Sequence, residues 1–134
     1  MISILLVSHG NLAAAMLESA EMIVGKQPDV YVFGFQQAQA PETLFERLEE
    51  ALNTLRQQDI LLFSDIRSGT PFNVAGSLMQ TYGFRHISGV NLAMLIEALT
   101  QRYELGIDEL CAELMETSAL TILDVNRLME EEEA

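Results

Sequence analysis

Two periods alternate along this chain. Ile2–Val7 is a short apolar, β-branched run, the pattern of a strand buried on both faces. Ser8-His9-Gly10-Asn11 interrupts it, and Leu12–Val24 then repeats at helical spacing, with Leu12, Met16, Ala20 and Ile23 on one stripe and Gly25 at its end. Val30–Phe35 predicts a second strand. Pro41 opens a helix on which Leu44, Leu48, Ala51, Leu52 and Leu55 recur. Ile60–Phe63 predicts the third strand, with Asp65 just past its end. Ser68-Gly69-Thr70-Pro71 then starts a helix whose Val74, Leu78 and Met79 face inward. His86–Val90 predicts a fourth strand, and Leu92–Leu99 and Ile107–Met115 two more helices. Ala119–Val125 is a late β-branched run, and Glu130–Glu133 reads as a solvated acidic tail.

Strands alternating with helices through short connections predict an α/β fold: an open, mostly parallel sheet with helices on both faces, in one domain over residues 1–134. Ligands of such sheets bind beyond the carboxyl ends of the strands, where the strand order reverses. The loops after the first, third and fourth strands therefore hold the candidate chemistry.

Composition narrows the partners. Hydrophobic residues make up 49% of the 134, enough for a real core. Twenty acidic residues against seven basic give a formal net charge of −13, which repels nucleic acid and anionic lipid. The same charge suits a basic protein partner or simply keeps the chain in solution. Cys111, the single cysteine, cannot form an internal disulfide and reads as a small buried hydrophobe. The first residues lack a basic stretch, and their apolar run is too short to span a bilayer, so a cytoplasmic protein is expected. The seven methionines are expected to fill core.

His9 follows the first strand and precedes a helix. Gly10 permits close backbone approach there, and the helix start aims unpaired N–H groups at the same space, a setting suited to an imidazole that carries a phosphoryl group. If the first and third strands are neighbours, Asp65 lies across from His9. A carboxylate accepting from Nδ1–H leaves Nε2 with an exposed lone pair. Gly69-Thr70-Pro71-Phe72-Asn73 marks another strand-to-helix turn, where Thr70 either caps the helix or offers its hydroxyl to phosphate. Neither a Walker-A pattern nor a Rossmann glycine fingerprint occurs, so phosphate is expected from another protein rather than from a nucleotide. His86 starts the fourth strand, away from these loops, and reads as structural. No metal or cofactor is expected.

Three segments, Ile4-Leu5-Leu6-Val7-Ser8-His9-Gly10, Asp65-Ile66-Arg67-Ser68-Gly69-Thr70-Pro71-Phe72-Asn73 and Ser88-Gly89-Val90-Asn91-Leu92-Ala93-Met94-Leu95, together resemble the enzyme IIA domains of the mannose family of the sugar phosphotransferase system. The resemblance covers almost the whole chain in the same order. It implies a sheet of order 2-1-3-4 and phosphorylation of His9 on Nε2, with Asp65 bonded to Nδ1. It also implies that Ser68, Gly69 and Thr70 surround the phosphate, beside the Gly10 that the turn after His9 already offers to it. By the same resemblance Ala119–Val125 matches a late antiparallel edge strand exchanged between subunits of a homodimer. Phosphate would arrive from the histidine-containing phosphocarrier protein and leave to enzyme IIB, which phosphorylates sugar at a membrane permease. Two positions depart from the family: Ser68 stands where a glycine is common, and Arg67 is unexpected. Arg67 has three readings: it stabilises the phosphohistidine, grips a partner, or is a solvated loop residue.

Three other functions compete for these residues. A phosphoryl-donor subunit of a dihydroxyacetone kinase shares Ser-His after its first strand, but Gly69–Asn73 favours the sugar system. A small tetrapyrrole metal chelatase wants a second histidine close to the first, and His86 is badly placed for that. A non-catalytic regulatory module is distinguished only by a phosphorylation assay.

Overall fold

The computed structural model describes residues 1–133. Its elements are β1 (Ser3–His9), α1 (Leu12–Val24), β2 (Val30–Phe35), α2 (Pro41–Thr54), β3 (Ile60–Ser64), α3 (Thr70–Leu78), β4 (Arg85–Ser88), α4 (Leu92–Gln101), α5 (Ile107–Thr117), a 3-10 turn (Ser118–Thr121) and α6 (Val125–Glu133). All strand pairings are parallel, in the order β2-β1-β3-β4. The order reverses at β1, so the carboxyl ends of β1 and β3 flank the crevice expected to hold a ligand.

Both faces of the sheet are covered, which is why β1 and β3 carry unbroken apolar runs, Ile4–Val7 and Ile60–Phe63, rather than alternating. On one face Ile4, Leu6, Leu61 and Phe63 pack against α1, α4 and α5. On the other Leu5, Val7, Ile60 and Leu62 meet α2 and α3 through Leu44, Leu48, Leu52, Val74, Ala75 and Leu78. Each fully buried leucine contributes roughly 1.5–3 kcal/mol, so the two cores hold the strand ends rigidly.

Several sequence expectations are corrected. Leu12 and Ile23 are exposed, because the buried stripe of α1 runs through the small Ala13 and Ala20, which let the helix lie close to the sheet, and Met79 is exposed just past the end of α3. Only Met94 of the methionines is buried outright, and Met22, Met115 and Met129 face solvent. The fourth strand ends at Ser88, since Gly89 takes φ +92° and turns the chain away.

The largest difference from the expected elements lies at Ala119–Val125. A strand needs an edge to pair with, and this segment meets none within its own chain. Its backbone closes locally instead: Ser118–Thr121 forms a 3-10 turn, the Thr121 hydroxyl donates to the Ser118 carbonyl (2.7 Å) and Asn91 Nδ2 donates to Thr121 Oγ1 (3.0 Å). The antiparallel strand is absent from the described residues. Leu120 and Ile122 are left 74% and 78% exposed. Glu130–Glu133, read as tail, belongs to α6, whose Val125, Leu128 and Met129 make an i, i+3, i+4 stripe.

Candidate functional site

His9 is the last residue of β1, and Asp65 follows β3 by one residue. Because those strands are neighbours, the carboxylate reaches the histidine twice. Asp65 Oδ2 accepts the His9 backbone N–H at 2.9 Å and the ring Nδ1–H at 2.8 Å, while Oδ1 accepts the Ile66 N–H at 2.9 Å. Burial alone would raise the Asp65 carboxyl, but the His9 N–H, the His9 ring and the Ile66 N–H outweigh it and hold the pKa below its ordinary 3.8. An ionised Asp65 can only accept. The proton therefore sits on Nδ1, and Nε2 presents its lone pair outward. The His9 side chain is 46% exposed and Asp65 only 8%, the division expected when one group reacts and the other orients it.

Gly69 defines the space in front of Nε2. It caps the start of α3 with φ +91°, and a Cβ there would lie 2.8 Å from His9 Nε2 and 3.0 Å from Cε1. Only glycine lets the chain pass this close to the ring. The first hydrogen bond of α3 runs from Asn73 N to the Gly69 carbonyl, and Pro71 has no N–H. The N–H groups of Thr70 and Phe72 thus have no partner within the helix, beside the positive end of its dipole. Such an arrangement suits an anion, beside a ring nitrogen whose lone pair is free.

The sequence places Gly10, Ser68, Gly69 and Thr70 in the cradle. Gly10 turns at φ +56° and its N–H donates to the Phe35 carbonyl, so it shapes the loop rather than offering that donor to phosphate. Ser68 is exposed on the loop crest. Thr70 is the first helical residue and its side chain forms no cap, which removes one of its two roles and leaves the hydroxyl free for an anion. Arg67 is exposed and forms no ion pair among the described residues, so its guanidinium is not part of the resting geometry.

Three supporting residues escaped the sequence reading. Ser8 Oγ accepts the Ala13 N–H at 2.8 Å, capping α1 in place of Asn11; a serine just before a helix is the signal. Asn11 Oδ1 accepts from Gln36 Nε2 at 3.0 Å, tying the loops after β1 and β2. Gly34 passes so near Gly10 that a Cβ would overlap the Gly10 carbonyl oxygen, and a glycine inside a strand hints at such contact. His86 is also misplaced in the sequence reading. β4 is only four residues long, and the imidazole meets Ser64 at the carboxyl end of β3, near the site rather than opposite it.

Among the described residues no group of three or more His, Cys, Asp or Glu side chains is placed to hold a metal. Residues 3–115 match the family model described as the PTS system fructose IIA component. The chain belongs to the mannose-type EIIA family. Similar proteins include the fructose-specific EIIA component of Bacillus subtilis, 32% identical over 112 residues covering 82% of this chain and 77% of that protein. The mannose-specific EIIAB component of Escherichia coli is 34% identical over 119 residues, covering 87% of this chain but only 37% of the longer protein. Among solved structures, the EIIA component of Streptococcus agalactiae superposes with TM-score 0.88 at 31% identity over 95% of this chain and 99% of its own. The mannose/sorbose-specific IIA subunit of Enterococcus faecalis gives 0.83 at 33% identity over 90% of this chain and 92% of its own. EIIA proteins are phosphotransferases that carry phosphate within the sugar phosphotransferase system, alongside a phosphocarrier and EIIB. Neither the dihydroxyacetone kinase subunit nor the chelatase is favoured by these matches. No helix among the described residues is long and apolar enough to cross a membrane.

Proposed function

We propose that this EIIA is a single domain, residues 1–134, that carries its phosphoryl group on His9 Nε2. The observation that carries the reading is the 2.8 Å bond from Nδ1–H to Asp65, which leaves Nε2 free before the Gly69–Thr70 turn. The Nε2 lone pair attacks phosphorus on the donor's phosphohistidine. The donor's N–P bond breaks and its electron pair returns to the donor imidazole. The phosphorylated His9 ring is cationic, and Asp65 stabilises it through the same Nδ1–H. Transfer onward reverses these steps with an acceptor. The Thr70 hydroxyl, the Thr70 and Phe72 N–H groups and the loop of Gly10, Ser68 and Gly69 would enclose the phosphoryl oxygens, with Arg67 swinging in from the crest.

The donor is a histidine-containing phosphocarrier protein, and the acceptor is an enzyme IIB serving a membrane permease, both met in the cytoplasm. A surface of net charge −13 favours a basic donor. The exposed apolar residues of 120–129 are consistent with a homodimer in which Ala119–Val125 pairs with a second copy. Incubating the protein with phosphoenolpyruvate, enzyme I and the phosphocarrier protein, then weighing it intact, tests the reading. One phosphate per chain is expected on the native protein and none on His9→Ala; label surviving that substitution would defeat it. Sedimentation of the same samples reads the dimer, which a monomer at micromolar concentration would refute.

A further inference from the structure

The face of the sheet under α2 and α3 is apolar until it reaches the site. There it turns polar. Ser64 Oγ and His86 Nε2 lie 2.8 Å apart, and Ser88, opposite Ser64 in the β3–β4 register, buries its hydroxyl with no partner. Ser64 is wholly buried and immediately precedes Asp65. Its carbonyl accepts the N–H groups of Gly89 (3.0 Å) and Val90 (3.3 Å), so β3 is clamped at the residue before the orienting carboxylate. On its other side the His86 ring packs against Phe72, in the first turn of α3, with centroids 5.4 Å apart and planes tilted by 45°. One imidazole thus touches both arms of the site: the strand end that carries Asp65 and the helix start that carries Gly69 and Thr70.

We propose that His86 is a positioning residue for phosphoryl transfer at His9, acting through Ser64 and through the first turn of α3. The proposal rests on His9 being the phosphoryl acceptor. Two aliphatic side chains would fill the same space without desolvating polar atoms, so the pair costs stability that packing alone would not demand. What the pair supplies is direction. A hydrogen bond from β4 to the end of β3 and an aromatic contact to α3 together set the distance between Asp65 and the Gly69 turn, and the 2.8 Å approach of a Gly69 Cβ position to Nε2 leaves little tolerance for error. Burial holds the His86 pKa below 6.5, so the ring stays neutral and the hydrogen bond stays intact near neutral pH.

The test uses full-length His86→Ala, His86→Gln, Ser64→Ala and the double alanine variant, each held well below its own melting transition. Rapid-quench transfer from the phosphocarrier protein should label all of them to the same extent. His86→Ala should be slower by about five- to tenfold, the worth of one neutral hydrogen bond. Ser64→Ala should lose some of the same factor, and the double variant should be no slower than His86→Ala. His86→Gln, which can still bond Ser64, should recover most of the rate. Independently of any phosphoryl transfer, the NMR signal of the His9 Nδ1–H proton should move in His86→Ala and return in His86→Gln. Wild-type rate and an unmoved His9 signal in His86→Ala, with only its melting temperature lowered, would overturn the proposal. An unlabelled wild-type protein would instead overturn the role of His9, and the NMR comparison would still decide that of His86.

Discussion

The two ends of the sheet solve opposite electrostatic problems. At the carboxyl ends of the strands, α1 and α3 begin, and N–H groups converge around the exposed His9. At the amino ends, carbonyls converge, and Arg102 closes them off. Its side chain lies at the end of α4, only 3% exposed, and its guanidinium donates to the carbonyls of Pro28 (2.7 Å), Ile2 (3.2 Å) and Asp29 (3.4 Å) and to Gln27 Oε1 (3.2 Å). A parallel sheet puts helix starts at one end and helix finishes at the other, so one end attracts anions and the other cations. The cation is built in permanently. In the proposed function the anion must come and go, which suits an end that is open, turned by glycines and lined by helix-start N–H groups.

Replacing the permanent cation tests the contrast most severely. Arg102→Ala would leave the buried Ile2 carbonyl without its guanidinium donor and remove the part-buried bonds to Pro28 and Gln27, and the expected loss is about 3 kcal/mol of stability by denaturant unfolding, the upper scale of a hydrogen bond to a charged group. Phosphoryl transfer by the remaining folded protein should be unchanged, because Arg102 lies at the far end of the strands. Slower transfer in the folded fraction would show that the ends are coupled.

Gly69→Ala is the converse: large for the site, small for the fold. The added Cβ meets the nucleophilic nitrogen at 2.8 Å, at a φ that side chains rarely adopt. The loop or the ring must shift, and a misplacement near 1 Å costs roughly a hundredfold in rate. Circular dichroism should be unchanged while quenched transfer from the phosphocarrier protein falls by about that factor. A rate near wild type would mean that the turn does not abut the reacting atom.

Much of this contrast was legible in the residues, for physical reasons that differ by region. β1, β3 and the turns after them are dominated by local demands: apolar runs for doubly covered strands, glycine at forced φ, proline at a helix start. Those demands are written residue by residue, so the positions of His9, Asp65 and Gly69 at the ends of their strands follow from the local sequence. Arg102 and His86 could not. Each acts through partners far along the chain, residues 2 and 27–29 for one and Ser64 for the other, and neither has a local spacing that announces it. Ala119–Val125 is left undecided by its own residues for another reason. Its β-branched residues favour a strand only where an edge is offered, and within one chain local turn bonds win.

The charge on Asp65 sets a smaller effect. Asp65→Asn can still accept from Nδ1–H through its amide oxygen, keeping the tautomer but losing the charge that stabilises the phosphorylated ring; Asp65→Ala loses both. A charge-assisted hydrogen bond contributes roughly 1.5–3 kcal/mol, or about one to two orders of magnitude in rate if wholly expressed in the transition state. Transfer should fall in the order wild type, Asn, Ala. Equal rates for wild type and Asp65→Ala would separate the carboxylate from the chemistry despite its position.

The smallest effect is on stability against pH, and it separates the two polar groups at the open end. His86 has its folded pKa lowered by burial, so the unfolded chain binds the proton more readily. Its contribution is fully present above the unfolded value near 6.5 and is lost as pH falls below it through the folded value. Asp65 is also lowered, because hydrogen bonds to His9 and Ile66 overcome the opposing effect of burial. Its stabilisation is present above the unfolded value near 3.8 and is lost only as pH falls through the lower folded value. Both groups therefore make the protein weaker in acid, but in separate windows. Urea midpoints across pH should decline first below about 6.5 and again below about 3.8. His86→Gln should flatten the upper decline and leave the lower, while Asp65→Asn should do the reverse. If His86→Gln leaves the upper decline untouched, the ring is not held neutral by the fold. The polar pair beside Asp65 would then be open to water, and the end of the sheet that binds the anion would be looser than its hydrogen bonds imply.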